Sequence, residues 1–237
     1  MRVLDIDLDF FLADCCPLAE PGRRPDVKGC EPWDKTDVSL FLEHNCGLSQ
    51  DRPLPGAIFE THDGALSFWK ARLDEGSLAA PFHVTHIDAH SDLGIGRPGP
   101  GFVLCSVLCQ SPQSRADIAR YYAQSQLDEA NYLLFALAFR WIASLENVRA
   151  PRSRPDMPRE LQPGASQGAL HLSSFASRLL EGKNGPEPAV PYREYADHRL
   201  FRAEKAYDFV TVAVSPRYAP KEADALLPVF EKYIHRI

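Results

Sequence analysis

The sequence predicts an α/β fold, a three-layer α/β/α arrangement around a mainly parallel sheet, on three observations. Apolar or alternating runs at 3–9, 56–59, 82–87 and 207–214 read as strands. Helix-like stretches at 37–46, 65–73, 116–145 and 221–233 alternate with them, which argues for a parallel sheet covered on both faces. Polar residues gather where strands run into helices, the usual place for a site in such folds. No linker separates two independent cores, so residues 1–237 are read as one domain.

The first strand alternates Leu4, Ile6 and Leu8 with Asp5, Asp7 and Asp9, and a two-residue period puts three carboxylates on one face. A loop rich in Pro, Gly and Arg follows over 16–35, and Asp37 is suited to cap the helix over 37–46. Residues 56–59 form a short buried strand, and Leu66, Trp69 and Leu73 stand at helical spacing, so Glu60, Thr61, His62 and Asp63 lie on the connection. The strand over 82–87 runs into Asp88-Ala89-His90-Ser91-Asp92 and then a turn-rich stretch at 94–101. The helical pattern over 116–145 includes 131–139, apolar on most faces. Residues 151–169 and 182–191 read as Pro- and Gly-rich surface loops. After the strand at 207–214 comes Ser215-Pro216-Arg217-Tyr218-Ala219-Pro220, then an amphipathic helix with Glu222 and Asp224 in its first turn.

Lys and Arg number 26 against 32 Asp and Glu, a net charge of −6, with no dense basic run for a phosphate backbone. Nucleic acid is excluded as the expected partner. The opening residues lack the apolar core of a signal peptide and no segment has the length to cross a bilayer, so a cytoplasmic protein without a membrane partner is expected. The six cysteines show no C-x-x-C spacing and are expected as reduced thiols. Self-association into a homo-oligomer is compatible with this composition.

The chemistry lies in His86-Ile87-Asp88-Ala89-His90-Ser91-Asp92 and in the acids of the first strand. Carboxylates that converge in a buried place need protons, a paired Arg or Lys, or a metal ion, and neither motif contains Lys or Arg. Oxygen-rich ligands with one or two imidazoles suit manganese or iron. Acids from two strands can bridge a pair of ions about 3.5–4 Å apart and activate a shared water without a protein nucleophile.

Asp88-Ala89-His90-Ser91-Asp92 resembles the Asp-Ala-His-x-Asp signature of the arginase and agmatinase superfamily, and Asp5-Ile6-Asp7 resembles its Asp-x-Asp motif. The resemblance implies that Asp88 and Asp5 bridge two Mn²⁺ ions, that Asp92 joins the first and His90 and Asp7 the second, and that His62 is the early metal-binding histidine. Leu-Asp-Ile-Asp-Leu-Asp-Phe-Phe, Glu-x-His-x-x-Ala-Leu and Asn131-Tyr132-Leu133-Leu134 are similar to an arginase-like branch that includes peptide arginases. That implies hydrolysis of a guanidinium group, converting arginine in a precursor peptide to ornithine with release of urea.

Two departures stand out. Asp-x-Asp opens this chain instead of following the other motif, so the motif order is rearranged, and the strand end at Val212–Pro216 lacks the glutamate that arginases keep for the guanidinium. Glu60 is the expected substitute, alternatively an outer partner of His62, with Asn131 and Ser215 as further substrate-binding residues. Asp9 is the alternative if the ligand pair is Asp7 and Asp9, and His86 reads as a ligand or a supporting residue. His44, His171 and His198 are the candidate proton donors. Rival readings are a haloacid-dehalogenase-like phosphatase with Asp5-Ile6-Asp7 as nucleophile and acid, a single-metal deacetylase, and a non-catalytic metal- or peptide-binding module.

Overall fold

The computed structural model describes residues 1–94, 99–174 and 187–237. Residues 95–98 of the turn-rich stretch and 182–186 of the second loop lie outside the described residues. The strands are β1 (Arg2–Asp7), β2 (Leu54–Phe59), β3 (Phe82–Asp88), β4 (Ile142–Arg149), β5 (Ala169–Leu170), β6 (Val190–Tyr195), β7 (Phe209–Ala213) and β8 (Ile234–Arg236). They join in one sheet of order β5-β6-β4-β3-β1-β7-β2-β8, in which only the β5–β6 pair is antiparallel among the described residues. The helices are α1 (Lys35–Leu40), α2 (Gly64–Asp74), α3 (Ile118–Ala123), α4 (Tyr132–Ala138), α5 (Gln162–Ala165) and α6 (Leu227–Phe230). The α/β class with a mostly parallel sheet is thus as expected.

The sheet divides two apolar cores. Val3, Val84 and Phe209 point to the side covered by α2 and α4, where Trp69, Tyr132 and Phe135 are buried. Leu4, Ile6, Ile87 and Val212 point to the other, where Phe10, Phe11 and Phe41 pack with ring centroids 4.9 to 5.8 Å apart. A parallel sheet buried on both faces must be apolar on both. Acidic residues at β1 and β3 break that rule, and they do so at one edge.

Several elements differ from the sequence reading. Asp34, not Asp37, caps α1, because its side chain accepts the Thr36 amide at 2.7 Å. Residues 142–145 are strand: the chain leaves α4 through Arg140 in a left-handed conformation (φ 62°), and the apolar run that follows pairs with β3. Residues 190–195 form β6 alongside β4, so the loop expected to reach residue 191 ends sooner. The single helix expected over 221–233 is a tight turn at Lys221–Leu226 followed by α6. Pro228, which has no amide to donate, falls in the first turn of α6, and the chain then ends in strand β8. Among the described residues no helix is long and apolar enough to cross a membrane, and no disulfide links the cysteines.

Candidate metal centre

The chain passes from β1 to β2 on one side and then to β3 on the other, so a crevice opens at the carboxyl end of β1. Two polar rows cross the sheet there. Register places Asp5 between His86 of β3 and Thr211 of β7, and Asp7 opposite Ala213, with Asp88 ending β3 beside them. His62 enters from the β2–α2 connection, where Gly64 is obligatory: a Cβ there would stand 2.7 Å from the Phe59 ring. Beyond Asp7 the strand gives way to a tight helical turn, Leu8–Phe11, as the Asp7 side chain accepts the Asp9 amide at 2.9 Å. Phe10 and Phe11 are buried in the opposite core and anchor that turn. Each buried Phe contributes roughly 2–3 kcal/mol, enough to hold Asp9 in a place its own desolvation opposes.

The first cluster comprises His62, His86, Asp88 and Asp92, whose ligand atoms lie within 4.8 Å of one another. His62 Nδ1 is 3.0 Å from Asp88 Oδ2, 3.1 Å from Asp92 Oδ2 and 3.2 Å from Asp7 Oδ2. Its ring stacks on that of His86 at 5.1 Å. The second cluster comprises Asp9, Asp88 and His90, with His90 Nδ1 3.1 Å from Asp9 Oδ2 and 3.4 Å from Asp88 Oδ1. Asp88 therefore turns one oxygen to each cluster. The loop bearing His90 and Asp92 is pinned from outside, since Ser91 N donates to Asp156 at 2.7 Å and Arg149 holds Asp156 at 2.8 Å. Asp92 and Ser215 both adopt left-handed backbone conformations (φ 52° and 46°). Such strain in non-glycine residues costs on the order of 1 kcal/mol or more and gathers at functional sites.

Asp5, expected as a bridging ligand, sits deeper. Thr211 donates to its Oδ1 at 2.5 Å and the Tyr132 hydroxyl to its Oδ2, while His62 Nε2 and His86 Nδ1 lie at 3.3 and 3.4 Å. Asp9, the alternative ligand in the sequence reading, stands beside His90, because the chain leaves the strand at Asp7 and turns. Asp5, the nucleophile of the phosphatase reading, is fully buried with both oxygens engaged. His86, left open by the sequence, stands in the first cluster.

The buried polar atoms of the two clusters suit a cation. His62 Nε2, His86 Nε2 and Asp92 Oδ2 are buried with oppositely charged neighbours at 3.1 to 3.4 Å but make no aligned hydrogen bond, which is expensive unless another group satisfies them. Imidazole and carboxylate atoms converging at these distances match the donors that divalent ions take. In the metal-free chain, burial and the charges of Asp7 and Asp88 push the Asp9 carboxyl up to about 8. Burial and Asp88 do the same to Asp92, also to about 8. Burial opposes charge on the histidines, but Asp5 and its neighbours hold His62 and His86 above the ordinary range, and Asp9 and Asp88 hold His90 there. Burial likewise opposes charge on Asp5 and Asp88, yet the surrounding histidines keep both carboxyls low.

A pH dependence follows. Unfolded carboxyls and imidazoles release their protons near about 4 and about 6.5, whereas Asp9, Asp92 and the three histidines keep theirs to higher pH when folded. The folded chain then binds more protons than the unfolded one, so stability of the metal-free protein falls as pH rises from about 4 through about 8. Divalent ions displace those protons and bind more tightly as pH rises. Thermal melts in chelator and in manganese are expected to diverge over that range; parallel curves would contradict this electrostatic description.

A narrow cleft above the clusters is lined by Asp7, His62, His90, Asp92, Glu129, Ser215 and Tyr218. Glu60, expected to meet the substrate, is exposed and outside this lining; what it brings to the site is its backbone oxygen, which accepts the Ser215 amide at 2.9 Å. Asn131 is also not at the cleft: its Oδ1 accepts from Asp128 N and its Nδ2 donates to Gln126 O, both at 3.0 Å, so it shapes the loop before α4. Ser215 does line the cleft, with its hydroxyl donating to Asp7, which makes it a positioning residue. His44, His171 and His198 lie elsewhere: His44 and His198 border a cavity with Trp33 on the far side of the Phe10 turn, and His171 is exposed. Glu129 and Tyr218 were missed, since both sit in loops where no periodicity places a side chain. No protein-family model matches the chain, and no curated protein matches it.

Proposed function

We propose that the protein is a metal-dependent hydrolase with a two-ion centre, most consistent with manganese, that cleaves a guanidinium group and releases urea. The observation that carries this reading is Asp88, with one oxygen in each of two ligand clusters at the end of a parallel sheet. His62, His86 and Asp92 would hold one ion and Asp9 and His90 the other, with Asp7 at 3.2 Å from His62 as a further acid beside the first. Two divalent ions held there would supply the Lewis acidity for hydrolysis near neutral pH. The chain's own residues orient the site: Ser215 holds Asp7, Asp156 holds the His90 loop, and Thr211 and Tyr132 hold Asp5 beneath the histidines. Asp5 thereby keeps negative charge under His62 and His86 and fixes their rings, a supporting role common behind metal ligands. The arginase resemblance of Asp88–Asp92 supplies the reaction class, and the peptide-arginase resemblance supplies the substrate, an arginine residue within a peptide.

The test is mass spectrometry of an arginine-containing peptide and of free arginine incubated with manganese-loaded protein. Loss of urea and conversion to ornithine in the peptide is the expected result. Turnover of free arginine alone would refute the peptide preference, and hydrolysis of neither would refute the ureohydrolase reading.

A further inference from the structure

The cleft holds one acid that neither cluster uses. Glu129 is 9% exposed, and its Oε1 lies 3.5 Å from Arg217 Nη1 while its Oε2 is buried with no hydrogen-bond partner. The loop that carries it is held in place: Ala130 N donates to Asp128 Oδ1 at 3.0 Å, Gly94 N donates to Ala130 O at 2.8 Å, and Asn131 braces the turn through Asp128 and Gln126. A carboxylate oxygen so placed is costly unless a donor reaches it, and the cleft is where a donor enters. Charge points the same way. Asp9, Asp88 and Asp92 belong to the two clusters, Asp7 stands against His62 and Asp5 lies beneath the histidines, which leaves Glu129 as the one acid of the cleft lining that faces no histidine of either cluster. Burial pushes this carboxyl up to about 7, Arg217 draws it down, and Asp7 raises it; an arriving cation favours the carboxylate.

We infer that Glu129 binds the cationic end of the substrate, its Oε2 accepting a guanidinium N–H while Arg217 fixes Oε1. The inference rests on the proposed guanidinium hydrolase and names the residue that selects its substrate. A planar cation with several N–H donors suits a carboxylate far better than a neutral isostere does.

The experiment uses manganese-loaded protein and two short blocked peptides, one with an amidinium in place of the arginine guanidinium and one with a neutral ureido group. Equilibrium dialysis gives their binding, elemental analysis gives metal content, and KM and kcat are measured on the arginine peptide. Glu129→Gln is expected to weaken amidinium binding and raise KM by roughly 10- to 100-fold, with ureido binding and manganese content unchanged. Glu129→Asp, which keeps the charge, should fall between, and it is read alone if the glutamine variant does not fold. Unchanged amidinium binding in the variants, loss of manganese from them, or a wild type that binds the two peptides equally would overturn the inference. If the wild type hydrolyses no guanidinium yet binds the amidinium through Glu129, the hydrolase reading falls and this inference stands.

Discussion

Asp88→Asn is expected to remove hydrolysis almost completely, by about 10³-fold or more, because this one side chain serves both ligand clusters. Its Oδ2 faces His62 at 3.0 Å and its Oδ1 faces His90 at 3.4 Å, and an amide supplies neither the second anionic oxygen nor the charge that balances the ions. Oδ1 also accepts the His90 amide at 2.6 Å, so the substitution loosens the loop that carries the next ligand. Urea release and manganese titration on the variant check this: both should collapse together. A variant that keeps its ions and much of its rate would show that the two clusters are not joined through Asp88.

Much of this site was legible in the sequence, and the reasons for the exceptions are physical. Asp88, His90 and Asp92 directly follow a strand, and a run of ligand types with no Lys or Arg nearby leaves few other fates for buried carboxylates. His62 was legible because a short apolar strand and a helix with Leu66 and Trp69 buried bracket it closely. The choice among Asp5, Asp7 and Asp9 was not, since a two-residue period holds only while the chain stays extended. Burial of Phe10 and Phe11 on the far face turns the backbone at Asp7, and no local pattern announces that. β4 was hidden for a different reason: short apolar runs look alike as strand and as buried helix, and only pairing with β3 decides. Glu129 depends on the fold of a loop and on Arg217 from a distant part of the chain, which sequence spacing does not encode.

Asp9→Asn is expected to have the second largest effect. Its Oδ2 is 3.1 Å from His90 Nδ1 and its Oδ1 accepts the Ala89 amide at 3.3 Å, so the carboxylate belongs to the second cluster and ties β1 to the loop after β3. Asparagine keeps the shape and loses the charge, and one ion should leave while the first cluster, built from His62, His86, Asp88 and Asp92, retains the other. Asp5→Asn should act differently. With Thr211 and Tyr132 on its oxygens, the change costs stability and slackens the histidines, yet it removes no side chain from either cluster.

Manganese bound per chain, measured by elemental analysis after saturation and gel filtration, shows whether the chain holds two ions joined through Asp88. Close to two ions are expected in the wild type, close to two in Asp5→Asn and close to one in Asp9→Asn. A wild type that binds a single ion, or an Asp9→Asn variant that still binds two while Asp5→Asn loses one, would contradict such a two-ion centre.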